Sequence, residues 1–393
     1  MPTLSECVVL HGPDLLPHHC ARFAWNRGMI TAIDLGPPAP QLERGALVII
    51  PGLTNGFTQF GDAPLVDAAA GLGPDQALAR PEGPRGRMLA EMPPPEQFQH
   101  LAGHLLYLAR TGVVRHLDFC EPGTETAQML REAAERTGVQ SISFGRLERP
   151  PTSERELVAG DAPLSGAARS ELGNLLNLVD GFASGTIDGL TGLACEEIKA
   201  LTVDRHKRLA LACPGPDFAR LLELLDPQLV APFAGAGPEE IAALAARRKT
   251  VALTPRATAT LGLTPAPLAP LLQAGVPVLL GTGSTMLTSP NVWAELDFAW
   301  RLLCQQAAGE NARDPRSILR MITANVRPVL GGDCHGYLER GLPADFAVLN
   351  FRRPHLGSTR NLVATLVSRV TPEEVLGTYR QGEPIWRAPE FNP

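Results

Sequence analysis

The apolar residues of this chain change period along its length. Over residues 1–50 they fall in short runs broken by turn residues. "ECVVLHG" and "GALVIIPG" read as strands, and "FAWNRGMITAIDLG" as a hairpin about Asn26, Arg27 and Gly28. Further on, helical and strand-length runs alternate. "PEQFQHLAGHLLYLARTG" has helical spacing and stops at Gly112, "VVRHLDF" follows as a strand, "TETAQMLREAAERTG" is a helix that stops at Gly138, and "VQSISFG" is a strand. The alternation continues through the strands "LVDGFAS", "RLALAC", "QLVAPF", "TVALTP" and "VPVLLGTG". Between and after them stand the helices "ACEEIKALTVDRHK", "PDFARLLELLD", "GPEEIAALAARRK", "APLAPLLQAG" and "VWAELDFAWRLLCQQA". After about residue 330 the strand period returns in "LERGLPADFAVLNF", "LVATLVSRV" and "VLGTYRQGEPIW".

Short apolar strands alternating with helices about eight times imply parallel βα units, and roughly 250 residues of them is the size of a (β/α)8 barrel. An open doubly wound sheet would usually need fewer repeats. The expected fold is α/β: a TIM barrel over residues 52–330, with residues 1–51 and 331–393 pairing into one small composite β-sandwich. Residues 61–95, rich in Pro and Gly ("GLGPDQALARPEGPRGRML"), read as a long loop with a short helix. A loop of that length in a compact domain usually has a task, often as a lid.

Composition narrows the function classes. Of 393 residues 44% are apolar and 19% charged, enough for a sizeable core. The net charge is −6 with no basic block, which argues against nucleic acid as a partner. The longest apolar runs are strand-length, far short of the roughly 18 residues of a membrane span. "MPTLSECVVLHG" has no basic segment leading into an apolar one, so no signal peptide is expected. The seven cysteines are dispersed and none stands in a C-x-x-C pair, which reads as a cytoplasmic protein with reduced thiols.

Four segments, in order, resemble the amidohydrolase superfamily, in its cytosine-deaminase-like and chlorohydrolase-like branch. "ALVIIPGLTNGFTQFGD" is similar to the family's entry into the barrel, P-G-[LF]-x-N-x-H-x-H, and "RTGVVRHLDF" to its second strand. "VALTPRATATLGLTPAPLAPLLQAGVPVLLGTGSTMLTSPNVWAELDFAWRL" resembles the run that carries L-G-T-D, and "LERGLPADFAVLNF" the closing G-x-x-A-D-[LF] segment. The resemblance implies a metal held at the C-terminal ends of barrel strands, where it makes a hydroxide near neutral pH.

Carried over position by position, the family's ligands are missing here. The two first-strand histidines fall at Phe57 and Gln59, the fifth-strand histidine at Ala212, the sixth-strand histidine at Ala231, and the eighth-strand aspartate at Gly283. Carbon side chains do not bind metals, and glutamine offers only a neutral oxygen. The resemblance therefore implies a degenerate member with its metal site lost and no cofactor.

Other constellations have a chemical and a plain reading. His100 and His104 share a helical face, either as zinc ligands or as a partly exposed face. His116 and Asp118 share one face of the second strand, as a lumenal acid–base pair or a solvated pair at its end. Cys120 is a nucleophile or a buried inert thiol. "GTGS" at 281–284 is an anion cradle or the family turn without its acid. Arg146 and Arg256 end the third and seventh strands, where they suit a carboxylate or phosphate ligand or pair with Glu121 or another acid.

The reading preferred on these grounds is a non-catalytic ligand-binding or complex-forming subunit, with a protein partner or a second copy and a small anionic ligand. The alternative is a hydrolase or deaminase acting on a non-peptide C–N bond of a small acidic substrate. It would use Asp118, Glu121 or Gln59, with Arg146 and Arg256 orienting the substrate.

Overall fold

The computed structural model describes residues 2–42, 44–78, 83–148, 152, 161–184, 190–211, 218–231, 237–309, 312–332 and 334–391. The first four strands are β1 (Thr3–His11), β2 (Leu16–Asn26), β3 (Met29–Pro38) and β4 (Leu47–Pro51). The β2–β3 hairpin turns at Arg27 and Gly28, both at positive φ, which suits the right-handed strand twist.

The barrel strands follow: β5 (Leu53–Gln59), β6 (Val113–Phe119), β7 (Gln140–Gly145), β8 (Gly181–Ser184), β9 (Arg208–Leu211), β10 (Leu229–Val230), β11 (Thr250–Leu253), β12 (Val278–Leu280) and β13 (Gly283–Ser284). They form a parallel sheet in the order β12-β11-β10-β9-β8-β7-β6-β5-β13. β12 and β13 are two parts of one strand separated by Gly281 and Thr282. Its first part pairs with β11 and its second with β5, so the eighth strand meets the first and the barrel closes. The closure is tight: a Cβ on Gly281 would lie 2.4 Å from the Phe57 nitrogen, and one on Gly56 2.6 Å from Leu279 Cβ. The Asn55 amide crosses the seam, donating to Thr282 Oγ1 at 2.8 Å and accepting from the Thr282 nitrogen at 3.1 Å.

β14 (Phe346–Asn350), β15 (Val375–Arg380) and β16 (Glu383–Arg387) join the N-terminal strands in one sheet, β16-β15-β14-β4-β1-β2-β3. The ends of the chain thus meet as expected, in one hydrogen-bonded sheet of seven strands. Phe23, Trp25, Phe346 and Tyr379 pack on one face, with Phe346 stacked on Tyr379 at 4.5 Å. Val8, Leu10, Val48 and Ile50 alternate with that face and join the barrel core, which docks the sheet.

One strand expectation needs correction, and one helix was not foreseen. "LVATLVSRV", read as a strand, is the helix Leu362–Arg369, started by the Asn361 side chain accepting from the Ala364 nitrogen at 3.0 Å. Its buried Leu362, Val363, Leu366 and Val367 have helical spacing and pack against the helices Val292–Gln306 and Pro315–Arg320. The helix Gly166–Leu175 is absent from the sequence reading. The long loop holds two short helices, α1 (Pro74–Ala77) and α2 (Pro84–Glu91), before the long α3 (Pro94–Arg110). No helix among the described residues is long and apolar enough to cross a membrane.

Candidate functional site

The C-terminal ends of the barrel strands are where this fold assembles sites. The lumen beneath them is carbon-lined. Phe57, Phe119, Phe144, Ala183, Ala231 and Leu279 belong to one buried cluster. Phe119 lies 5.1 Å from Phe144, ring centre to ring centre.

Strand alternation decides where the second-strand pair points. Leu117 and Phe119 face the lumen, so His116 and Asp118 face the other way, toward Phe60. Both are fully buried. The pair is therefore neither lumenal nor solvated, the two arrangements expected from the sequence. Thr58 Oγ1 donates to Asp118 Oδ2 at 2.7 Å, and the Phe60 N–H donates to the same oxygen at 2.9 Å. With its proton committed there, Thr58 accepts from His116 Nδ1 at 2.8 Å, and Nε2 accepts from Ser141 Oγ at 2.6 Å. That tautomer is neutral, and burial pushes the His116 pKa down to about 3. Burial raises Asp118 to about 6, opposed by its bonds from Thr58 and Phe60. Cys120 is fully buried and its thiol is pushed up by desolvation and by Asp118, the behaviour of an inert thiol.

The polar and charged groups at the mouth come from neighbouring strand ends. Asp62 follows β5, Glu121 follows β6, Arg146 follows β7 and Ser284 ends β13. Arg85, from α2, enters this group. Its Nε and Nη2 both donate to the Asp62 carboxylate, and its Nε lies 3.4 Å from Glu121 Oε1. Ser284 Oγ also donates to Asp62. Arg146 donates through Nε to the Cys120 carbonyl at 2.8 Å, and its Nη2 lies 3.4 Å from Glu121 Oε1. Burial works against the charge on Arg85, but Asp62 and Glu121 outweigh it and raise its pKa. Gly61 admits the Glu121 side chain, since a Cβ there would fall 2.5 Å from Glu121 Cγ. Gln59 is half-buried beside this group, paired in register with Ser284.

Arg256 does not join Arg146. Its helix, Pro255–Thr260, sets the guanidinium 3.6 Å from Glu295 Oε1, and Nη1 donates to the Ser289 carbonyl at 3.3 Å. Glu295 is fully buried, which raises its pKa to about 8 against the pull of Arg256. The "GTGS" backbone is partly committed within the fold: the Gly281 N–H donates to the Leu253 carbonyl and the Thr282 N–H to Asn55 Oδ1. His104 Nδ1 donates to the His100 carbonyl at 2.9 Å, so the pair is engaged within its own helix. Both histidines line a cavity of about 590 Å³ beside the mouth, with Tyr107, Thr288, Ser289 and Val66.

Of the groups named from the sequence, Gln59, Glu121 and Arg146 meet at the mouth. Asp118, Arg256, His100 and His104 lie elsewhere. The sequence reading missed Thr58, Asp62, Arg85 and Ser284. No local signal separates Arg85 from Arg87 in the same short helix, yet Arg85 is buried and Arg87 exposed.

The residues at the described ligand positions do not fit the metal that the resemblance implies. Phe57 and Ala231 are buried in the lumen cluster, and Gly283 offers only backbone at a φ of 72°. Ala212, the fifth-strand position, lies outside the described residues, as does Cys213.

Residues 198–385 match the model of the amidohydrolase family. A putative aminohydrolase of Methanothermobacter thermautotrophicus is 23% identical over 364 residues, covering 89% of this chain and 91% of its own. The 5-methylthioadenosine/S-adenosylhomocysteine deaminase of Halobacterium salinarum is 34% identical over 155 residues, 39% of this chain and 36% of its own. An adenosine deaminase of Xanthomonas campestris with bound zinc superposes with a TM-score of 0.77 at 18% identity, covering 97% of this chain and 92% of its own. A mutant atrazine chlorohydrolase of Arthrobacter aurescens, complexed with zinc and atraton, gives 0.80 at 16% identity, covering 98% and 95%.

Proposed function

We propose that this chain, whose residues 198–385 match the amidohydrolase family, acts on a non-peptide C–N bond of a small molecule, as a hydrolase or deaminase working from its own mouth residues. The observation that carries this reading is Glu121: a carboxylate at the end of the second strand, 13% exposed, with Arg85 and Arg146 each at 3.4 Å. A carboxylate so placed takes a proton from an attacking water. The guanidinium of Arg146 orients an anionic group of the substrate, because its planar fork suits carboxylate or phosphate. The names of the relatives, deaminases and an aminohydrolase, favour this reading over a purely binding one. The setting proposed is the cytoplasm, in keeping with dispersed thiols.

A second reading is favoured by Phe57. Its ring fills the lumen at a position where the resemblance places a metal ligand. On that reading the protein is a ligand-binding or complex-forming subunit that takes a small anion and a protein partner or second copy. One assay separates the two. Ammonia release is followed over a panel of amine-bearing small molecules, 5-methylthioadenosine and aminotriazines among them, for the parent and Glu121→Gln. Turnover lost in Glu121→Gln supports the first reading. Turnover equal in both sinks the role of Glu121, and no turnover on any compound that binds supports the second.

A further inference from the structure

The mismatch at the ligand positions leaves a question about charge. The resemblance leads one to expect histidines and an aspartate around a metal at this mouth. Here it gathers Asp62, fully buried, and Glu121, largely buried, from two strand ends. Two carboxylates in so little water are costly unless a cation is set against them. Among the described residues, the cation that reaches both is Arg85. Its guanidinium lies on both oxygens of Asp62 and 3.4 Å from Glu121, with only 9% of its side chain exposed.

Three features mark this as more than a surface ion pair. The donors are two nitrogens of one fork on the two oxygens of one carboxylate, the strongest geometry for such a pair. Asp62 is held by the barrel as well, through Ser284 Oγ from the eighth strand. And among the described residues Asp62 and Glu121 stand against Arg85 and Arg146. Arg85 is also the one member of the group that does not sit at a strand end. It comes from α2, so the contact ties that helix to Asp62 just past the first strand, to Glu121 past the second and, through Asp62, to Ser284 of the eighth.

We propose that the Arg85 guanidinium is the resident cation of this barrel mouth, bridging the carboxylates of Asp62 and Glu121 and latching α2 over them. The inference does not depend on whether Glu121 is catalytic. Without Arg85, the described mouth residues leave Asp62 and Glu121 without the cation that bridges them, and the bridge no longer ties α2 to the barrel.

The test is hydrogen–deuterium exchange of the full chain, read over 61–95 and over β1 as an internal reference. Arg85→Ala is expected to speed exchange in the segment about tenfold or more and leave β1 unchanged. Millimolar methylguanidinium is expected to restore protection in that variant, and methylammonium to do so less, because only the former reproduces the fork. Arg87→Ala, on the exposed side of the same helix, is expected to match the parent. EDTA is expected to leave the parent's segment unchanged. Parent-like exchange in Arg85→Ala overturns the proposal, as does loss of protection that methylguanidinium does not reverse or loss in the parent on adding EDTA. Should Arg85→Ala fail to fold, Asp62→Asn removes the other half of the bridge; faster exchange there supports the latch and parent-like exchange overturns it.

Discussion

The ring of Phe57 lies 4.6 Å from the ring of Phe119, and both point into the barrel lumen. The first strand therefore meets the second through carbon, at a height where the resemblance places a histidine. Phe57 is 2% exposed, so Phe57→Ala is expected to cost about 3–5 kcal/mol, as a large buried aromatic does. Phe57→His is expected to destabilise too, by leaving imidazole nitrogens among carbons, and to gain no tight zinc binding, because its described neighbours supply no further ligands. Urea unfolding of both variants with and without zinc checks this. A midpoint for Phe57→His that rises strongly with micromolar zinc would show that the lumen still holds a ligand set.

Asn55 closes the barrel seam with both ends of its amide on Thr282, one residue beyond the glycine that lets the first and eighth strands approach. Asn55→Ala leaves the buried Thr282 N–H and hydroxyl without that partner, and about 2–4 kcal/mol of stability is expected to go with it. Asn55→Asp keeps an acceptor for the N–H but buries a charge, so it is expected to be worse than Ala above neutral pH and closer to the parent in mild acid. Denaturant midpoints at pH 5 and pH 8 measure the crossover.

How much of this was legible in the sequence follows from the range of each interaction. The barrel was readable because each βα unit writes its own period, and the ends because their β runs flank it. The helix Leu362–Arg369 was misread because Val363, Thr365 and Val367 favour strands, although the apolar spacing that buries Leu362, Val363, Leu366 and Val367 is helical. At the site, Gln59, Glu121 and Arg146 were readable as strand-end residues. Asp62 and Arg85 were not, because a bond between residues 23 positions apart that share no periodic element leaves no periodic trace. The direction of Asp118 hung on which face of β6 meets the lumen, and an all-buried strand hides that alternation.

Glu295 and Arg256 give a pH signature at neutral values. Burial raises Glu295 from an ordinary 4.5 to about 8, with Arg256 at 3.6 Å pulling the other way. The folded protein then holds a proton that the unfolded chain has released, so this group's contribution to stability is present below about pH 4.5 and is lost as pH rises to about 8. Glu295→Gln is expected to flatten that decline between pH 6 and 8 while keeping an acceptor for the Arg256 N–H. Thermal midpoints across that range report it, and a variant whose slope equals the parent's would place the titration on another group.

Asp118 titrates lower, and the same logic gives it a separate window. Its usual value is 3.8; burial lifts it to about 6, even though Thr58 and the Phe60 N–H favour the charged form. A raised carboxyl binds its proton more tightly when folded, so the stability it contributes is full below about pH 4 and declines as pH rises through 6. Two pH units correspond to on the order of 2–3 kcal/mol. Asp118→Asn removes the charge and keeps a carbonyl oxygen for both donors. It is expected to leave stability at pH 4 close to the parent, to raise it at pH 7, and to leave the decline between pH 6 and 8 in place, since that belongs to Glu295. Denaturant titrations at half-unit steps from pH 4 to 8 resolve the two windows. A loss of stability at pH 7 in Asp118→Asn would mean that the buried carboxylate is held charged by its hydrogen bonds, and that desolvation is the weaker of the two effects at this residue.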